Sequence, residues 1–300
     1  LLWNSLRMYV RFKYNSELLK EICKRYGIST VISDGVVGLS RVADFQVLIN
    51  HQLSFVSGNI AIPYPLRVFG EFDEIWVPDI EDRNGLSGLL GHPPGKKSKK
   101  VKYTGPVSRF KIPEWTQKNT EKNKIVIFIS GPSPFPENLL KFLLKNTASI
   151  PCEEITVFSH VLPEKGIVKV KELKRYDEFF VIYELEKRDK MVKIVTGASD
   201  EFILAEVESA CLIMASGGYS TIMDIACFPL PRILFPLSGQ MEQTYLAKHL
   251  MERNFSLSLN IDDYEMVFGK EWWYEKLNKA REITIWHPSF VKGEIEFTEA

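Results

Sequence analysis

Five short apolar runs constrain this chain more than any other feature: KIVIFIS (124–130), EITVFS (154–159), VKIVT (192–196), CLIMA (211–215) and RILFP (232–236). Each reads as a strand bounded by turn-forming residues. Between and after them lie segments with apolar residues at helical spacing: ENLLKFLLKN, SDEFILAEVESA, TIMDIACF, QMEQTYLAKHLMERN and EWWYEKLNKARE. Ser199 or Asp200 is the expected N-cap of the second of these helices. Helices alternating with strands predict an α/β sheet. In such folds functional groups sit at the carboxyl ends of strands. FFVIYE (179–184) is a further candidate strand.

The first half has the same grammar. NSELLKEICKRYG (15–27) is a helix pattern that stops at Gly27, and STVIS follows as a short buried strand before the loop DGVVG. FQVLIN ends at His51 and Gln52, DEIWVPD ends at Asp79, and KVKYTGPVSRF closes at Arg109 and Phe110. KIPEWTQKNTEKN is polar and aperiodic, so it reads as a linker. The expected division is a first domain over 1–110, a linker over 111–123, a second domain over 124–282 and a tail over 283–300. LLWNSLRMYVRF reads as a helix already under way, so the first domain is expected to begin before Leu1. That segment interleaves apolar and basic residues, as a membrane-surface helix does; packing against the missing beginning is the plainer reading.

The 300 residues carry 38 Lys+Arg and 38 Asp+Glu. A net charge of zero draws the chain neither to nucleic acid nor to an anionic membrane. No apolar run approaches the length of a spanning helix. Cys23, Cys152, Cys211 and Cys227 show no CxxC or zinc spacing, and read as reduced thiols of a cytoplasmic protein.

SGGYSTIMDIA (216–226) carries the chemistry. A strand, two glycines and a helix form the layout that binds phosphate. The first-turn N–H groups are unpaired, the helix dipole is positive there, and glycine lets a ligand approach the backbone. Ser216, Ser220 and Thr221 add hydroxyls beside Gly217 and Gly218, and Asp224 lies within reach of a ribose diol. The plainer alternative is a strand–helix turn with Ser220 as N-cap. Next, RILFPLSGQMEQTYLA brings Gln240, Glu242 and Gln243 to the start of another helix, where they suit a ligand's hydroxyls. The plainer alternative there is capping by Ser238 with a solvated Glu-Gln face.

The ordered stretch SGGYSTIMDIACFPLPRILFPLSGQMEQTYLAKHL resembles the donor-binding domain of glycosyltransferase family 28, the MurG-type enzymes. In that family an SG loop precedes the diphosphate-facing helix, an acid in that helix binds the ribose, and a Gln-rich turn binds the donor sugar. The resemblance assigns these roles to Ser216–Gly218, to Asp224, and to Gln240, Glu242 and Gln243. VISDGVVGLS…FQVLINHQL is similar to the acceptor domain's Gly-containing loop and His-Glu-Gln-Asn segment, with His51 and Gln52 in place. YTGPVSRF resembles the Gly-Asn-Pro-Val-Arg that ends that domain. The match is specific over about 211–250 and fainter elsewhere. Asp224 stands where Glu is usual, Glu242 where Gln is usual, and NHQLSF lacks the acceptor motif's Asn. These departures fit a relative with a different acceptor.

The resemblance implies a GT-B type fold: two Rossmann-like α/β domains facing a cleft, the first incomplete. It implies inverting transfer of a hexose or N-acetylhexosamine from a UDP-sugar to a hydroxyl acceptor, including a polyprenyl-linked one, without a required metal or other cofactor. The expected location is cytoplasmic, or peripheral at the inner membrane face. A general base must take the acceptor's proton. His51 and Asp34 are the candidates; a backbone-bonding histidine and a turn-forming Asp before Gly are the plainer readings. DIEDR (79–83) reads as a surface loop, and GKKSKK (95–100) as a solvated loop or a contact to an anionic lipid. Trp272 and Trp273 are expected in a core or bracing the cleft, and Ser130, Gly131 and Ser133 are held as cleft residues. Two rival functions stay open: a UDP-N-acetylglucosamine 2-epimerase, drawing on Asp34, His51 and Asp79, and a nucleotide-sugar-binding subunit without catalysis.

Overall fold

The computed structural model describes residues 15–57, 60–110, 123–163, 170–185 and 190–283. The initial LLWNSLRMYVRF, the linker apart from Asn123, and the tail beyond Ile283 lie outside the described residues. The described residues divide into two compact units, one up to Val107 and the other from Ser108 onward.

In the first unit, helix α1 covers residues 15–26. Gly27 ends it at φ +64°, and Ile28 N donates to Cys23 O at 2.8 Å. That is the left-handed C-terminal motif glycine is suited to. Strands β1 (Thr30–Asp34), β2 (Phe45–Ile49), β5 (Glu74–Val77) and β6 (Val101–Tyr103) form a parallel sheet in that order. The sequence suggests a longer last strand. The ladder stops at Tyr103 because Thr104 N turns to Val77 O and Gly105 N to Asp79 O. Leu48, Phe69, Phe72, Ile75 and Val77 pack the core. A hairpin of β3 (Ser54–Ser57) and β4 (Ile60–Pro63) follows β2 and has no counterpart in the sequence reading.

The second unit holds an eight-stranded sheet. Its strands are β7 (Lys124–Ile129), β8 (Glu154–Ser159), β9 (Val170–Arg175), β10 (Val181–Leu185), β11 (Met191–Thr196), β12 (Leu212–Ser216), β13 (Arg232–Phe235) and β14 (Leu257–Ser258). Their spatial order is β14-β13-β12-β7-β8-β11-β10-β9. All pairs are parallel except the two that β10 makes, with β11 and β9. Every residue of β7, β8, β12 and β13 is buried. Two-sided burial explains why these runs are continuously apolar instead of alternating. From β7 the chain steps outward through β8 and β11, then returns to lay β12 on the other side of β7. The strand order therefore reverses between β7 and β12.

Helices α2 (Phe135–Asn146), α3 (Asp200–Glu208), α4 (Tyr219–Ala226), α5 (Met241–Glu252) and α6 (Lys270–Ile283) complete the unit. Ser199 is the N-cap of α3, its hydroxyl accepting from Phe202 N. Trp273 is fully buried, packing with Phe142 among Phe235 and Phe268, and Trp272 stacks on Phe268. Asn146 ties this core together: its amide donates to Phe142 O and Met266 O, and its oxygen accepts from Phe268 N and Trp273 Nε1. All four cysteines are free thiols, and no helix of the described residues is long and apolar enough to cross a membrane.

Phe142 has no exposure and meets three aromatic rings. Phe142→Ala should cost about 3–5 kcal/mol of stability, as for other large aromatic truncations in cores. Urea unfolding followed by circular dichroism would measure it.

Candidate functional site

The carboxyl ends of β7 and β12 lie side by side where the strand order reverses, the place where open α/β sheets bind ligands. Hydrogen bonds link the two ends. Ser130 N donates to Ser216 Oγ at 2.9 Å, and Ser130 Oγ meets Thr221 Oγ1 at 2.8 Å. Ser216 is buried, so its hydroxyl fastens the two strand ends together.

Glycines 217 and 218 serve different ends. A Cβ at Gly217 would stand 3.0 Å from Pro236 Cα and 3.2 Å from Gln243 Oε1, so the close approach of the neighbouring strand end selects glycine. Gly218 has an ordinary φ of −71° and open space where a Cβ would stand. It is the N-cap of α4 and provides no side-chain cap. Ser220 is exposed and lies inside the helix, so the reading of Ser220 as N-cap is corrected: the N-cap is Gly218 and the helix starts two residues earlier, at Tyr219.

A cavity of about 360 Å³ opens at these strand ends. Its walls come from the end of β7 and the residue after it (Phe128, Ser130), the end of β8 (Ser159, His160), the turn after β11 (Gly197, Ala198), α4 (Thr221, Asp224, Ile225) and Arg109. Asp224 is half-buried. Its Oδ1 accepts from Ser108 Oγ at 2.8 Å, and Arg109 Nε stands 3.3 Å from its Oδ2. Arg109 also reaches Asp200 at 3.5 Å and lies over the Phe110 ring. Burial pushes the Asp224 carboxyl above the usual aspartate range, while Ser108 and Arg109 pull it back.

Of the residues singled out in the sequence, the cavity gathers Thr221, Asp224 and Ser130. Ser216, Gly217, Gly218 and Ser220 belong to the adjoining helix entry, outside the lining. Gln240, Glu242 and Gln243 also stand outside it. Gln243 is buried, and its Oε1 accepts from Leu237 N at 2.9 Å, which shapes the turn before α5. Gln240 is the N-cap of α5, and its buried Oε1 makes no hydrogen bond among the described residues. Ser238 does not cap α5; its hydroxyl faces Asp262. Arg109 and His160 were missed as site residues. Both were readable as polar residues at strand ends, His160 just after EITVFS and Arg109 at the close of KVKYTGPVSRF, but only folding brings Arg109 to Asp224.

In the first unit Asp34 ends β1 and His51 follows β2, on the same sheet edge. Asp34 is exposed, His51 half-buried. The surface-loop reading of DIEDR holds for residues 81–83 but not for Asp79. Asp79 is fully buried and accepts from Ile80 N, Leu86 N, Ser87 N and Ser87 Oγ, so it organises the loop that follows β5. No group of three or more His, Cys, Asp or Glu that would hold a metal occurs among the described residues.

The chain is similar in structure to MurG of Acinetobacter baumannii, at 12% identity over 95% of this chain and 73% of that one, with a TM-score of 0.53. It is similar to the spinosyn forosaminyltransferase SpnP, at 14% identity over 92% of this chain and 72% of that one, TM-score 0.53. The calicheamicin glycosyltransferase CalG4 matches at 8% identity over 93% of this chain and 76% of that one, TM-score 0.55. No family model and no curated protein matches by sequence. The fold is that of the MurG-like, GT-B type glycosyltransferases.

Because its pKa is raised, Asp224 in the native state holds a proton at pH values where the unfolded chain has released it. Its protonation thus contributes stability below the unfolded value that is lost as pH rises through the folded value. Carbon-detected NMR titration should place this carboxyl above about 3.9, the free aspartate value. Ser108→Ala removes a hydrogen bond to the carboxylate and should raise it further.

Proposed function

We propose that this protein is a glycosyltransferase that binds a UDP-sugar in the second unit and transfers its hexose or N-acetylhexosamine, with inversion, to a hydroxyl acceptor. The observation that carries this reading is the cavity at the strand-order reversal, with Asp224 in its wall and the bare backbone of Gly218 beside it. Nothing in the folded chain demands glycine at 218. A ligand that must reach the α4 N–H groups would demand it.

In this reading the Asp224 carboxylate takes the ribose hydroxyls, releasing Ser108 and Arg109 from it. Arg109 and the start of α4 then face the diphosphate, whose charge grows as the sugar leaves. Preorganised N–H donors and a cation stabilise such a leaving group without a metal. Gln240, with its unsatisfied oxygen, and Glu242 take the donor sugar's hydroxyls. Gln243 acts by holding the turn. The first unit supplies the acceptor site, with His51 or Asp34 as general base, and a polyprenyl-linked hydroxyl is the acceptor that the resemblance in sequence suggests. A cytoplasmic protein peripheral to the membrane suits such an acceptor. The epimerase reading loses one of its two carboxylates, since four donors already occupy Asp79.

Calorimetric titration of UDP, UDP-N-acetylglucosamine, UDP-glucose, GDP and ADP in the presence of EDTA tests the donor assignment. Uridine nucleotides alone should bind. Asp224→Ala should weaken UDP by about 1–3 kcal/mol, the scale of a lost charged hydrogen bond. Unchanged UDP affinity in the folded variant refutes the assignment. Gly218→Ala should leave the melting temperature within about 2 °C, a shift worth less than 1 kcal/mol in a chain of this size, yet lower UDP affinity. Equal UDP affinity in that variant would mean that the ligand does not approach the helix entry.

A further inference from the structure

The cavity at the strand-order reversal has an end that Asp224 and the α4 entry leave unused. Only β7 separates β8 from β12, so the carboxyl end of β8 stands two strand spacings, about 10 Å, from that of β12. That is the reach of a nucleoside from its ribose hydroxyls to the outer edge of its base. The walls at this end are mostly apolar. Phe158, Val195 and Ile203 line it, and the Phe158 ring stacks on Phe128 at 5.3 Å and 21°. Gly197 adds bare backbone to the wall. Its φ is +59°, and Phe179 O lies 2.5 Å from where a Cβ would stand, so a side chain is excluded. Thr196 Oγ1 holds that carbonyl in place by donating to it at 2.8 Å. Apolar walls with a few placed polar groups suit a heterocycle.

The buried polar side chain at this end is Ser159, the last residue of β8, which pairs with Ile129 of β7 and is 6% exposed. Its Oγ accepts from Val161 N at 3.1 Å. Its hydroxyl hydrogen meets no acceptor among the described residues. Ser130 and Thr221, also in the lining, bond to each other on the α4 side. His160, next to Ser159, is exposed, so water competes for its nitrogens. A serine hydroxyl has one hydrogen to donate and two sites to accept. Val161 N already uses an accepting site, so what Ser159 lacks is an acceptor for its hydrogen. A carbonyl oxygen supplies one. An amino group does not, and leaves a buried donor unmet.

We propose that Ser159 reads the base of the donor nucleotide, giving its hydrogen to the carbonyl oxygen at position 4 of the ring and so selecting uracil over cytosine. This inference rests on the reading of the cavity as the nucleotide site, and adds the residue that chooses the base. Position 4 lies opposite the glycosidic nitrogen, so with the ribose at Asp224 it is the point of the ring that reaches β8. Uracil carries a carbonyl there and cytosine an amino group, while the two rings are alike in size and shape. Apolar walls cannot tell them apart; a hydroxyl with a committed oxygen can.

UDP and CDP, titrated calorimetrically into the whole chain and its variants, test the assignment. The unaltered chain should bind UDP at least about tenfold more tightly than CDP, the scale of one buried donor left unmet. Ser159→Ala should bring UDP down to the affinity of CDP and leave CDP unchanged. Ser159→Thr, which keeps the hydroxyl, should keep the preference. CDP is the internal control for folding: an equal loss of both nucleotides in Ser159→Ala overturns the proposal in favour of a purely structural serine. Equal binding of UDP and CDP to the unaltered chain, or a preference that survives Ser159→Ala, also overturns it and leaves the donor site standing. Binding of neither nucleotide to the unaltered chain overturns the donor reading, and this inference with it.

Discussion

Burial of β7 and β12 on both faces is the constraint from which the second unit follows. A strand apolar at every position has no face to offer water, so helices must cover the sheet on both sides. Parallel neighbours joined by covering helices need long crossovers, which run in one hand. Those crossovers bring all the β-to-α turns to one edge. The reversal of strand order then parts two of those turns and leaves a crevice between them. The cavity beside Asp224 is thus a product of topology before it is a product of any side chain.

Buried polar groups decide how firmly that edge is held. Ser216 has almost no exposure and uses its hydroxyl to fix Ser130 N. Arg232, fully buried, donates to the carbonyls of Ile225, Phe228 and Phe255, and burial lowers its pKa to about 9. Its guanidinium thereby closes the carboxyl end of α4, where cations are favoured by the helix dipole. The helix that carries Asp224 is pinned at one end by this arginine and left bare at the other by Gly218.

Two aspartates show how environment assigns roles to one side chain. Asp79 is saturated by four donors in the dry interior and acts on the loop around it. Asp224 stands at a cavity wall, partnered by the half-buried Ser108 and the exposed Arg109. Exchanging those partners for a ligand's hydroxyls costs Asp224 little. The same exchange at Asp79 would undo the loop.

The sequence by itself determined the strands and helices of the second unit, because continuous apolar runs and helical spacing are local and leave few alternatives. KIVIFIS, EITVFS, CLIMA and RILFP became the four fully buried strands, and SGGYSTIMDIA became the helix entry at a sheet edge. The hairpin of β3 and β4 was not legible: its strands have four residues each, and its stability comes from pairing with each other. Nor was the role of Gln243, whose amide serves a turn six residues back in the chain. Only the tertiary structure decided that Arg109 meets Asp224 across 115 residues, and that His92, Tyr103 and Asp79 stand together from three separate segments. Local pattern reports what a segment can bury. Which polar groups converge depends on strand order, which no segment encodes alone.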